Sequence, residues 1–220
     1  LSNRGVSVRI LTNSLSSHDV PVVNAHYEKW RDDLLEAGVD LYEFRGDPAI
    51  AELVNVPPVQ AKFIGLHSKA VVIDTRYVFI GSMNFDPRSA DINTEMGVIV
   101  DSPALAAELR AVMLRDMEGT NAWRLSLDED GDVIWTNSEE TVEKQPSRGF
   151  LQNVMNIIQG RAQRAVLNQR PGIAGAGAGP DAGLADYPPD SAALHLAISC
   201  SPTKQTSHES AELPASSQQL

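Results

Sequence analysis

Apolar and polar positions along this chain fall into short alternating runs separated by helical periodicities. Val6 to Leu11 alternates and reads as a strand. From Val22 to Ala37, Tyr27, Trp30, Leu34 and Leu35 recur at helical spacing, which predicts a helix with a core-facing stripe, and Gly38 is placed to end it in a left-handed cap. Val39 to Phe44 reads as the next strand, followed by a loop from Arg45 to Gln60 that carries Pro48, Pro57 and Pro58. Strands are predicted at 66–74 and 77–81 and from Glu95 to Val100. Ser102 and Pro103 form an N-cap and first helical position for a helix to about Met117. Trp123 to Leu127 and Val133 to Thr136 read as a hairpin closed through Asp128 to Asp132, with Gly131 at the turn. Strands alternating with helices predict an α/β class, a mixed sheet flanked by helices.

Phe150, Val154 and Ile158 fall at i, i+4 and i+8, with Leu151 and Met155 beside them, so a helix over about 149–159 has an apolar face. Docking of that face on the core is expected. The sharper alternative is an interfacial helix near lipid headgroups, although its polar face holds few cations.

Beyond about Asn168 the composition changes to GIAGAGAGPDAG, then Pro188-Pro189, then a polar run to Leu220. Such a segment cannot bury a core and is expected to be disordered. The chain therefore divides into a domain over 1–159 and a low-complexity tail over 160–220. Its 18 Lys and Arg stand against 29 Asp and Glu, a net charge of −11, and most of that excess lies in the domain. An acidic body is a poor general binder of nucleic acid, because affinity there comes from neutralising phosphates. Cys200 is the one cysteine, so neither an internal disulfide nor a cysteine zinc site is available. No apolar run reaches membrane-spanning length.

The most specific stretch is GLHSKAVVIDTRYVFIGSMNFDPRS, which contains H-x-K-x4-D-x6-G-S-x-N: six specified letters in eighteen positions, with a chance match on the order of 10⁻⁸ per start. His67 and Lys69 are two apart in a β-branched stretch, so imidazole and ammonium project together. The cation disfavours a metal site but suits a nucleophile attacking phosphorus, because it neutralises the charge that develops on oxygen. Ser82 and Asn84 are again two apart and offer a hydroxyl and a carboxamide to the same phosphate. Glu95 is placed to accept from the far imidazole nitrogen. Arg88 adds either a guanidinium fork for phosphate or a loop-fixing salt bridge. Asp74 follows the apolar strand, past the cluster. The bland readings stand for His26, a solvated or core histidine, and for the Asp128 to Asp132 run, a solvated turn without EF-hand spacing.

The run resembles the HKD motif of the phospholipase D superfamily at every specified letter. Together with TNSLSSHDVPVVNAHYEKWRDDLLEAGVDLYEF, it is most similar to the second half of bacterial cardiolipin-synthase-like members. The resemblance spans roughly residues 5–158, with the motif region at about 61–88, and implies an α-β-α sandwich carrying one HKD half. It implies phosphatidyl transfer or hydrolysis at a phospholipid phosphodiester through phosphohistidine, without cofactor or metal. His67 is then nucleophile or acid/base partner, Lys69 and Asn84 bind phosphate, Ser82 supports them, Glu95 orients the histidine and Asp74 is a structural salt-bridge residue. A cytoplasmic enzyme, peripheral at the inner membrane and meeting its phospholipid there, is the expectation.

One departure matters. His18, His26, His195 and His208 are not followed by lysine two residues later, so a single H-x-K is present where cardiolipin synthases carry two. With Leu1 standing on a strand-like segment, a fragment lacking its first half is expected. The competing explanation is a homodimer pairing two copies of His67, as in single-motif nucleases of the superfamily. A metal-independent nuclease and an inactive interaction module remain the other readings of function.

Overall fold

The structure is a computed structural model that describes residues 6–18, 21–58, 60–84, 93–149, 152–158 and 193–197. In chain order the strands are β1 (Ser7–Asn13), β2 (Asp40–Phe44), β3 (Lys69–Ile73), β4 (Tyr77–Gly81), β5 (Gly97–Asp101), β6 (Ala122–Leu127), β7 (Val133–Thr136), β8 (Thr141–Val142) and β9 (Ala193–Ala197). The helices are α1 (Pro21–Glu36), α2 (Ala51–Val54), α3 (Pro103–Asp116) and α4 (152–158), with a 3-10 turn at Leu15–Ser17. The strands form one mixed sheet in the order β5-β4-β3-β9-β1-β2-β6-β7-β8.

Strand alternation sends side chains to two cores. Leu11, Phe44, Val72 and Val78 meet Ala106, Met113 and Met117 of the α3 region on one face. Leu41, Trp123, Leu125 and Trp135 meet Tyr27, Leu34 and Leu35 of α1 on the other. The architecture is thus the expected α/β sandwich, helix on each side of a mixed sheet. The predicted caps form as well. Gly38 has φ +76° after α1, and Ser102 Oγ accepts from the Leu105 amide with Pro103 at the start of α3.

Four features depart from the expectations. Trp30 is 56% exposed and does not join the stripe made by its neighbours on α1. The loop after β2 contains the short α2. Helix α4 docks through its polar side chains, Gln152 and Asn156, and leaves Met155, Ile157 and Ile158 exposed, the reverse of core docking by an apolar face; Phe150 and Leu151 lie outside the described residues. Within the tail, Ala193–Ala197 is a strand. β9 runs parallel to β1 and antiparallel to β3, supplying ladder partners to both. The rest of 159–220 lies outside the described residues.

The buried centre of the α1 face is polar. Glu43 is fully buried, 3.2 Å from the Arg31 guanidinium, and accepts from Trp135 Nε1 at 2.9 Å. Arg31 stacks 4.9 Å above the Trp135 ring. Burial pushes the Glu43 carboxyl up, with Arg31 opposing the shift. Tyr27 lies beside this pair, and burial, reinforced by Glu43, raises its hydroxyl well above the ordinary value.

Candidate active site

The ladder register decides which motif residues share an end of the sheet. Lys69 pairs with Gly81, and Gly81 pairs with Gly97. The starts of β3 and β5 and the end of β4 therefore lie in one row. His67 precedes that row, Ser82 follows it by one residue, and Glu95 and Met96 lead into it. With strands about 4.8 Å apart, residues spread over 29 sequence positions converge within about 10 Å across the row.

Lys69 is buried at 8% exposure, whereas His67 is exposed. The ammonium donates to the His67 carbonyl at 2.6 Å, and Nζ lies 3.3 Å from Nδ1 and 3.4 Å from Nε2 of the same residue. An ammonium only donates, so the ring nitrogen it engages must carry a lone pair. A fixed cation thus stands beside an accessible imidazole.

On the β4–β5 side, Ser82 Oγ donates to Glu95 Oε2 at 2.6 Å and accepts from the Met96 amide at 3.0 Å. Asn93 Nδ2 donates to Glu95 Oε1 at 3.3 Å. The Glu95 carboxylate is thereby anchored by Ser82, a partner that the sequence reading did not assign to it. Asn84 is exposed just beyond β4. Arg88 lies outside the described residues.

Asp74 is not part of this cluster. It sits in the β3–β4 turn, at the opposite end of β3 from Lys69, with φ +52° at Asp74 and +58° at Thr75. Its Oδ1 is buried without a hydrogen-bond partner among the described residues. The structure therefore groups His67, Lys69, Ser82 and Glu95 and leaves Asp74 about 16 Å along the strand from the row.

Two supports went unrecognised in the sequence. Asn13, the last residue of β1, donates Nδ2 to the Leu66 carbonyl and accepts the Leu66 amide on Oδ1, both at 2.8 Å. Ser17 Oγ donates to the same Oδ1 at 2.9 Å. This clamp fixes the residue next to His67. Its only signal in the sequence was an asparagine followed by three nearby serines after a strand. The second support is the glycine pair. A Cβ on Gly97 would strike the Phe79 ring, and one on Gly81 would sit 2.7 Å from the Met96 carbonyl and 2.8 Å from Phe79 Cζ, so the ring lies close against both residues.

Among the described residues, no group of three or more His, Cys, Asp or Glu side chains is arranged to hold a metal ion. Nor is any helix there long and apolar enough to cross a membrane.

An α-β-α sandwich with H-x-K at the start of a central strand and G-S at the end of its neighbour defines a phospholipase D-like domain. A family model described as cardiolipin synthase, PLD-like domain matches residues 1–117, and the chain belongs to that family. It is 38% identical over 157 residues to cardiolipin synthase C of Escherichia coli, covering 69% of this chain and 33% of that protein. It is 32% identical over 114 residues to the minor cardiolipin synthase ClsB of Bacillus subtilis, covering 52% of this chain and 24% of the relative. An uncharacterised Helicobacter pylori protein is 37% identical over 143 residues, or 64% of this chain and 27% of its own length. The chain thus spans about a third or less of these relatives. No solved structure matches it.

Proposed function

We propose that this chain supplies one half of a phosphatidyl-transferring site that acts on a phospholipid phosphodiester through a phosphohistidine. The observation that carries the reading is the buried Lys69 ammonium held against the exposed His67. One of two histidines, His67 or its counterpart, forms a nitrogen–phosphorus bond as the bond from phosphorus to the leaving alcohol breaks. The other gives its proton to that alcohol. It then takes a proton from the incoming water, glycerol or lipid hydroxyl, whose oxygen displaces the histidine. Lys69, Ser82, Asn84 and Arg88 hold the phosphate, and Glu95 supports the histidine cation formed during attack.

The second H-x-K half comes from a longer polypeptide or, failing that, from a second copy of this chain. The 33% coverage of the Escherichia coli relative supports the first source. An apolar edge beside the site supports a docked half in either case: Met96, Val98 and Ile99 are 79%, 56% and 76% exposed on or next to edge strand β5. The family's named relatives favour a phospholipid at a membrane surface over nucleic acid, as does the acidic chain.

The test is phosphatidyl transfer from phosphatidylglycerol by the polypeptide carrying both halves, in the presence of chelator. His67→Ala is expected to lower kcat by at least about 10³-fold. Unchanged turnover would remove His67 from the reaction, and chelator-resistant cleavage of DNA in place of lipid would transfer the site to the nuclease reading.

A further inference from the structure

The run that delivers His67 to the site has little secondary structure of its own. From Ala61 to Ser68 the chain forms neither a helix nor an extended ladder before β3 begins at Lys69, so contacts from other segments set its path. Ile64 donates its amide to the Gly46 carbonyl at 3.1 Å, and Asn13 holds Leu66. A Cβ on Gly65 would sit 2.6 Å from the Ser17 carbonyl oxygen, so the run lies directly against the 3-10 turn that follows β1.

Arg148 joins that run to that turn. Its guanidinium carbon lies 3.5 Å from the centroid of the Phe63 ring, four residues before His67, and its Nη2 donates to the His18 carbonyl at 2.6 Å. A planar guanidinium can stack by its face and donate from its edge at the same time, which a lysine ammonium cannot. Gln152 fixes the backbone of Arg148 over the same turn. Its Oε1 accepts the Arg148 amide at 2.8 Å, while its Nε2 donates to the Leu15 carbonyl and lies 3.4 Å from the His18 carbonyl. One helical turn further on, buried Asn156 donates to Glu28 of α1 at 2.9 Å. The segment is thus a brace that runs from α1, across the turn after β1, to the Phe63 ring.

We infer that Arg148 is a positioning residue for His67: stacked on Phe63 and bonded to the turn after β1, it holds the 63–66 run so that the imidazole stays beside Lys69. The kinetic part of the test rests on the phosphatidyl-transfer reading above, whereas amide exchange is read on the 220-residue chain and needs no turnover. In the polypeptide carrying both halves, Arg148→Ala should lower kcat about tenfold with KM within about twofold of wild type. Arg148→Lys should recover little of that loss, because it keeps the charge and loses the stacking plane. Phe63→Leu should cost a similar factor, and the double variant with Arg148→Ala should lose no more than either single one, because both changes remove the same contact. In the 220-residue chain, Arg148→Ala should speed exchange of the Ile64 and Leu66 amides at least about tenfold while the melting temperature stays within about 2 °C of wild type. Faster exchange in a protein whose wild-type two-half form transfers no phosphatidyl group would remove the phospholipid reading and leave the brace in place. Unchanged exchange at both amides overturns the inference, as do additive losses in the double variant. Full rescue by lysine, or a loss confined to KM, also overturns it, because Arg148 would then be a substrate-binding cation.

Discussion

Asn13 holds the backbone of Leu66 on both sides of its Cα, donating to the carbonyl and accepting from the amide, each at 2.8 Å. Leu66 is 5% exposed, so neither backbone group has water as an easy substitute. The end of β1 therefore determines where His67 stands relative to Lys69.

Asn13→Ala should leave buried Leu66 groups unsatisfied, which destabilises by about 1–3 kcal/mol. Displacement of His67 should lower kcat by about 10²-fold, with a smaller effect on KM. Steady-state kinetics and a thermal melt on the same preparation check both parts. A kcat at the wild-type level would show that Lys69 alone positions the imidazole.

The Phe79 ring lying close against Gly81 and Gly97 makes the second prediction. Gly97→Ala should be destabilising by about 1–3 kcal/mol, because the added methyl meets the ring. Phe79→Leu should restore much of that loss in the double variant, as the obstacle is a side chain. At Gly81 the obstacle includes the Met96 carbonyl, so the same second change should rescue Gly81→Ala poorly. Denaturant midpoints of the four variants decide it.

Glu43 gives a pH dependence. Its carboxyl is raised by burial, so the folded chain holds the proton more tightly than the unfolded chain does. That contribution to stability is fully present below the ordinary glutamate value and is lost as pH rises through the raised one. Melting temperatures of the wild type and Glu43→Gln, compared from about pH 4 to about pH 8, should show the wild type's advantage shrinking as pH increases. A constant difference would mean that Arg31 cancels the burial effect.

Strand β9 makes ladders with both β1 and β3. Deleting residues 183–220 should open two strand edges, lower the melting temperature by at least about 5 °C and promote self-association. Light scattering beside the melt reads both effects. A truncated chain as stable and monodisperse as the full one would show that the sheet closes without β9.

Local sequence signals were read well where the physics is local. The Ser102–Pro103 start of α3, the Gly38 cap and the Gly131 hairpin each depend on a few neighbouring residues, and each forms where expected. His67, Lys69 and Ser82 stand in the motif run with Glu95 downstream, and the ladder register brings these positions to one end of the sheet. The x4 spacing puts Asp74 past that cluster, and the structure agrees. A strand of five residues carries it to the far end.

What the sequence determined by itself was the alternation of elements, the helix caps and the chemical types gathered in the motif run, because propensity, capping and motif spacing are written in adjacent residues. What only the tertiary structure decided was which of those groups meet. Cross-strand register set Lys69, Gly81 and Gly97 in one row, a contact over 53 residues tied Asn13 to Leu66, and packing against α1 turned the polar side of α4 inward. Such pairings depend on free energies shared between distant segments, and no local pattern encodes them.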